Sequence, residues 1–169
     1  RGCVKERKGT VIRVEAEVLI NRPPEEVGRF LADIERQPEW TDMSAARKLT
    51  DGPVREGTRA YAELPLGPFK LGWTWEVTEF DPARVLSYRT ISRSALSMDG
   101  SYRLESQGAG ATKVAATVEI RTRGLLRLLE PLMRAEVTRN ETAEVLRIKG
   151  VLEGPGTGAA EPGLAGREA

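Results

Sequence analysis

The sequence predicts an α+β domain in which one long C-terminal helix covers one face of a strongly curved antiparallel sheet. Three observations carry that expectation. Residues 44–122 read as a run of short strands joined by turn signals. A strand and a helix pair precede that run, and a long stretch rich in helix formers, Leu125 to Glu153, follows it. At 169 residues the chain is read as one domain, large enough to bury a real core. Its expected limits are a basic tail over 1–9, a folded unit over 10–153 and a disordered Gly/Ala/Pro-rich tail over 154–169.

The first strand is expected over "TVIRVEAEVLI", Thr10 to Ile20. There Ile12, Val14, Ala16, Val18 and Ile20 alternate with Arg13, Glu15 and Glu17. In "NRPPEEVGRFLADI", two prolines followed by two glutamates suit a helix start, because proline lacks the otherwise orphaned amide and acids favour the positive dipole end. Val27, Phe30, Leu31 and Ile34 then form one apolar stripe. Pro38 is expected to end this helix, with "EWTDM" as a short turn or second helical piece.

The strand run comprises "SAARKLT", "TRAYAEL", "FKLGWTWEVTEF", "VLSYRTISR", "GSYRLES" and "TKVAATVEIRT". Leu86 and Tyr88, Tyr102 and Leu104, and Val114, Ala116, Val118 and Ile120 are the inward sets. Between Thr58 and Leu64 either set fits an inward face. In the third strand Phe69, Leu71, Trp73, Trp75 and Val77 share one side, with Lys70, Gly72, Thr74, Glu76 and Thr78 on the other. A pair of indoles on a dry face is either core or cavity wall. With Tyr88 and Tyr102 on the same parity, each hydroxyl needing a partner if buried, the composition is that of a small-molecule pocket.

On the final helix Met133, Val137, Val145, Ile148 and Leu152 fall on one face. Glu141 lies near the middle of that stripe, Arg134 and Glu144 at its margins, and Thr138 close by. Pro131 either kinks this helix or marks a start within it. A carboxylate among apolar neighbours costs several kcal/mol unless paired or wet. Two expectations for Glu141 therefore stand open. It pairs with a sheet arginine or reaches a pocket mouth, or it projects into an internal cavity and binds or polarises a ligand.

Composition narrows the chemistry. Basic and acidic residues number 26 and 25, so no global field draws the chain to nucleic acid or an anionic membrane. With no histidine, every Ser-His-Asp and Cys-His arrangement is excluded and the commonest zinc ligand is missing. Cys3 is the single cysteine and sits in the expected tail; no metal or cofactor is expected, and a reducing compartment is favoured. "GAGATK" reads as a hairpin turn rather than a phosphate loop, and "VKERKG" as a solvated tail without aromatics for base stacking. No apolar run approaches the roughly 20 residues of a membrane span, nor does an apolar segment follow the basic start. The expectation is a cytoplasmic protein without stable membrane insertion; the sequence assigns no oligomeric state.

Taken in order, several segments resemble the START-like (SRPBCC) superfamily, and within it the polyketide cyclase/dehydrase-like group. "VLINRPPEEVGRFLADIERQPEW" is similar to the family's first strand, Pro-Pro-x-x-Val helix and Pro-x-Trp turn, and "WEVTEFDPARVLSYR" to its strand–Asp-Pro–strand hairpin. "GSYRLESQGAGATKV" resembles its Gly-x-Tyr strand and following hairpin, and "LRIKGVLE" the end of its final helix. The resemblance covers about residues 10–153. It implies a helix-grip fold, a curved antiparallel sheet of about seven strands wrapped around the C-terminal helix and a deep cavity, with two short helices after the first strand. It further implies a hydrophobic or aromatic ligand, lipid- or polyketide-like, in a pocket expected to include Trp73, Trp75, Tyr88, Tyr102, Met133, Val137 and Glu141. The enzymatic alternative is a polyketide cyclase or dehydratase working through ordered water and polar groups, with Tyr88, Tyr102, Arg134 or Glu141 as acid–base groups. A chaperone-activator or membrane-associated accessory domain is a third class within such a fold. The family offers no universal catalytic motif to place on these residues.

Overall fold

The computed structural model describes residues 11–66, 68–92, 96–108, 110–122 and 130–154; the side chains at 66, 96, 130–133, 135 and 136 fall outside that description. The expected N-terminal tail, Cys3, positions 125–129 of the expected last helix and the expected C-terminal tail beyond Gly154 also lie outside the described residues. The elements are β1 (Val11–Ile20), α1 (Pro24–Ala32), a 3-10 helix (Ile34–Glu39), β2 (Ala45–Lys48), β3 (Arg59–Leu66), β4 (Phe69–Asp81), β5 (Val85–Thr90), β6 (Leu96–Ser106), β7 (Thr112–Thr122) and α2 (Glu130–Glu153). The strands form one seven-stranded sheet in the order β1-β7-β6-β5-β4-β3-β2. Every pairing is antiparallel. A meander thus runs from β2 to β7, and β1 closes on its far end.

Alternation decides the faces. In β7 every second residue is buried, and Val114, Ala116, Val118 and Ile120 stand opposite Val18, Ala16, Val14 and Ile12 of β1. The ambiguous stretch before Leu64 resolves with Thr58, Ala60 and Ala62 buried, while Tyr61 and Glu63 face the other side. Among the described side chains of α2 the buried positions are Val145, Ile148 and Leu152, three of the five in the expected stripe; Val137 is half-buried. Burying each such side chain stabilises the fold by about 1.5–3 kcal/mol. The far end of α2 is pinned to β1, where the Lys149 ammonium donates to the Leu19 carbonyl at 2.7 Å and the Asn21 amide donates to Glu153 at 2.6 Å.

Three local expectations are corrected. Helix α1 stops at Ala32 because Asp33 leaves helical geometry (φ −77°, ψ 88°), so Pro38 lies inside the 3-10 helix instead of ending α1. Strand β6 begins at Leu96, before the expected "GSYRLES", because residues 96–99 pair with 119–122 of β7. Phe69 belongs by parity to the dry face but is 75% exposed. Pairing between β4 and β5 covers β4 only from Trp75 onward, so the start of β4 extends past its neighbour and beyond the core.

Gly28 explains how α1 approaches the sheet so closely. A Cβ there would overlap the backbone oxygen of Pro82, in the β4–β5 turn. Neither backbone segment can yield a little, since each is held by its own element. Gly28→Ala is therefore expected to destabilise by at least the ~1–3 kcal/mol typical of overpacking, read as a lowered urea midpoint.

Candidate functional site

The inner face of the middle strands carries large rings opposite small residues. Trp75 pairs with Ala60 and Trp73 with Ala62 across β3–β4, Tyr88 with Gly100 across β5–β6, and Tyr102 with Ala116 across β6–β7. At Gly100 a Cβ would fall 2.5 Å from the Tyr88 hydroxyl and 2.6 Å from its ring, so the phenol lies across the bare glycine. The rings form a chain: Phe30 to Trp40 (6.2 Å between centroids), Trp40 edge-on to Tyr102 (5.9 Å), Tyr102 to Tyr88 (6.4 Å), and Tyr88 to Trp75 (5.6 Å). Trp40, Trp75 and Tyr102 are buried, and Tyr88 is half-buried.

Facing this chain from α2 are two carboxyls three residues apart, Glu141 and Glu144, both half-buried. The Tyr102 hydroxyl donates to Glu144 Oε1 at 2.5 Å. Burial pushes the Glu141 carboxyl up to about 7. Burial and, next, the charge of Glu141 push Glu144 up to about 8, against the lowering effect of the Tyr102 hydrogen bond and of Arg147. Burial and the same two carboxyls hold both tyrosines well above their ordinary range. No ion pair to Glu141 or Glu144 occurs among the described residues, and Arg147 is engaged with Asp42 at 2.7 Å. No sheet arginine therefore meets Glu141 among those residues, and Arg134 is exposed.

Of the residues expected to line a pocket, Trp75, Tyr88, Tyr102 and Glu141 come together. Trp73 is as buried as Trp75 and in the same core cluster, but among the described residues it makes no ring contact with this group. Val137 packs instead on a separate cluster of Ile12, Val14, Val118 and Ile120. The side chain of Met133 lies outside the described residues. Sequence reasoning left Glu144 and Trp40 off this group, and did not single out the buried Gln37. For Glu144 a signal was present, since spacing of three from Glu141 places both on one helix face. Trp40 and Gln37 sit in and beside the 3-10 helix, where no simple periodicity marks an inward side chain. Three buried polar atoms in this region, Trp75 Nε1, Trp40 Nε1 and Gln37 Oε1, have no hydrogen-bond partner in the protein. An open groove of about 440 Å³ at the β4–β5 turn, lined among others by Glu79, Asp81, Arg84, Arg103 and Glu105, includes none of the rings.

A seven-stranded antiparallel sheet closed by a C-terminal helix, with rings and a few polar groups between them, defines a START-like helix-grip protein. The chain belongs to the polyketide cyclase/dehydrase and lipid transport family, whose model matches residues 11–153. Among solved structures, the Zhui aromatase/cyclase of Streptomyces sp. R1128 superposes with a TM-score of 0.72 at 22% identity, covering 85% of this chain and 94% of that one. A protein of Thermus thermophilus gives 0.71 at 21% identity over 85% and 99%. A START superfamily protein of Mycobacterium smegmatis gives 0.69 at 11% identity over 83% and 97%. At these identities the likeness is one of fold. A search by sequence of curated proteins finds no match. The family implies binding of a small molecule. Among the described residues no helix is long and apolar enough to cross a membrane.

The raised carboxyls fix a pH dependence. Because Glu141 and Glu144 titrate near 7 and 8 when folded, against 4.5 ordinarily, the folded protein holds more protons than the unfolded chain across that interval. Stability therefore falls as pH rises through it. Glu39, Glu63, Glu76 and Glu153 are held low by arginine, lysine or backbone donors and titrate below this window. Thermal melts are expected to show a higher Tm at about pH 5 than at about pH 9. Glu144→Gln keeps an acceptor for Tyr102 and should flatten that slope.

Proposed function

We propose that the protein takes a hydrophobic or aromatic small molecule, lipid- or polyketide-like, between the inner face of the sheet and α2. Trp75, Tyr88, Tyr102 and Glu141 would touch it. The observation that carries this reading is the ring chain set against half-buried carboxyls, with the buried Trp75 Nε1 lacking an acceptor. A plain core would bury neither an unpaired indole donor nor two carboxyls that form no ion pair among the described residues, since each costs about 1–3 kcal/mol or more. A ligand oxygen accepting from the indole removes part of that cost. The family description, which joins cyclase, dehydrase and lipid transport, supports the same reading.

Tryptophan emission on titration with a neutral apolar probe, N-phenyl-1-naphthylamine, tests it. Quenching with saturable binding is expected. Trp75→Ala removes a buried ring at about 3–5 kcal/mol, so the milder Trp75→Phe is measured beside it. Both should weaken the probe while circular dichroism stays native. Unchanged affinity in a folded variant places the ring in ordinary core. Glu141→Gln should alter affinity more than Tm, with Glu76→Gln as control, since Glu76 faces away and pairs with Arg59 and Arg89.

One observation favours a second reading, catalysis of cyclisation or dehydration. The Tyr102–Glu144 pair joins a buried phenol to a carboxyl poised near neutral pH, which suits proton transfer to and from a bound substrate. Tyr102→Phe and Glu144→Gln should then abolish turnover of a polyketide-like substrate and leave probe binding largely intact. Arg134, being exposed, has no part in such a step.

A further inference from the structure

We propose that the molecule taken at this site is an organic cation: an aromatic amine or quaternary ammonium whose charged centre lies between the Glu141–Glu144 carboxyls and the faces of Trp75, Tyr88 and Tyr102. This rests on the ligand-binding reading above and adds the chemical class of the ligand.

Glu141 and Glu144 face the site from α2, and neither forms an ion pair among the described residues. Asp42, after the 3-10 helix, acts on Glu144, and Asp99, on β6, acts on Tyr88. Each of these two is paired with its own arginine, Asp42 with Arg147 and Asp99 with Arg121, and Arg147 offsets part of the charge at Glu144. The unpaired acids are therefore Glu141 and Glu144 alone. Among the described residues, strands β4, β5 and β6 bring no cation to the site, only Trp75, Tyr88 and Tyr102. Two acids buried together with no ion pair among the described residues favour their protonated forms, which agrees with both carboxyls being pushed well above their usual range. An ammonium supplies the missing charge and displaces those protons.

The rings are an independent observation. Trp75 and Tyr88 lie 5.6 Å apart and Tyr88 and Tyr102 6.4 Å apart, so three π-systems follow one another along the sheet, and the last of them donates to Glu144. A cation within about 6 Å of such a ring is attracted by its quadrupole, most strongly by tryptophan. A hydrocarbon would gain from the rings but leave the acids uncompensated; an anion would be repelled. Trp75 adds a further requirement. Its Nε1 has no partner although the residue is 3% exposed, so the ligand should also carry a hydroxyl or carbonyl oxygen within reach.

The experiment uses the full chain and two probes of one shape, phenyltrimethylammonium, whose charge is independent of pH, and tert-butylbenzene, which is neutral. At about pH 8.5 the ammonium is expected to bind about tenfold tighter or more, followed by tryptophan emission and calorimetry. Its affinity should rise between about pH 6 and pH 8.5, with proton release visible as a buffer-dependent binding enthalpy. The hydrocarbon should show neither effect. The Glu141→Gln/Glu144→Gln double variant should lose the preference for charge, so that the ratio of the two affinities falls to about one. If tert-butylbenzene binds as tightly as the ammonium, or the preference survives the double substitution, the cation assignment is wrong while the hydrophobic-ligand reading stands. If neither probe binds the parent protein, both fall.

Discussion

Seven strands at about 4.8 Å spacing make a face nearly 30 Å wide, whereas one helix covers about 10–12 Å. That mismatch governs the rest of the molecule. Helix α2 packs chiefly on β1, with contacts to β7, and its C-terminal end is tied there through Lys149 and Glu153. Helix α1 takes the side of β5 and β6, and the 3-10 helix packs on β2. Between these supports lies the inner face of the middle strands, which only bulky side chains reach across to cover. Trp73, Trp75, Tyr88 and Tyr102 occupy that stretch, and curvature of the sheet toward α2 follows from the need to bring both sides onto them.

The rings fit because their cross-strand neighbours are small. Alanine or glycine opposite each ring lets it lie over the adjacent strand instead of standing off the sheet. At Gly100 the fit is tight enough that any Cβ would move Tyr88. The inner face is thus shaped as much by the residues lacking large side chains as by the aromatic ones. The Tyr102–Glu144 bond joins sheet to helix, so a change at either residue acts on both the acid pair and the ring chain.

Identity near 22% with an aromatase/cyclase of the same architecture shows how loosely this fold constrains its sequence. Alternation in the strands and an apolar stripe on α2 are enough to preserve the frame. Here the inner side combines indole, phenol and carboxyl without histidine, and burial is the largest cause that raises both carboxyls.

Alternation alone was enough to place β1, β4 and β7 and the inward sets of β5 and β6, because a period of two has only two solutions and charged residues exclude one. The same logic identified Val145, Ile148 and Leu152, and it brought Glu141 to the inner side of α2. Parity could not separate Trp73 from Trp75, since it assigns a face and not a neighbour; β4 runs past β5, and that overlap decides which indole meets Tyr88. Nor could a helix plot rank Glu144 above Glu141, because the rank depends on where Tyr102 arrives from a strand more than forty residues distant. Trp40 reaches Tyr102 from the end of a 3-10 segment that α1 hands over at Asp33, a backbone turn with no periodic signature. Local pattern therefore determined the elements and their faces, while the meeting of rings with acids arose from strand overlap and helix placement, which are properties of long-range contacts alone.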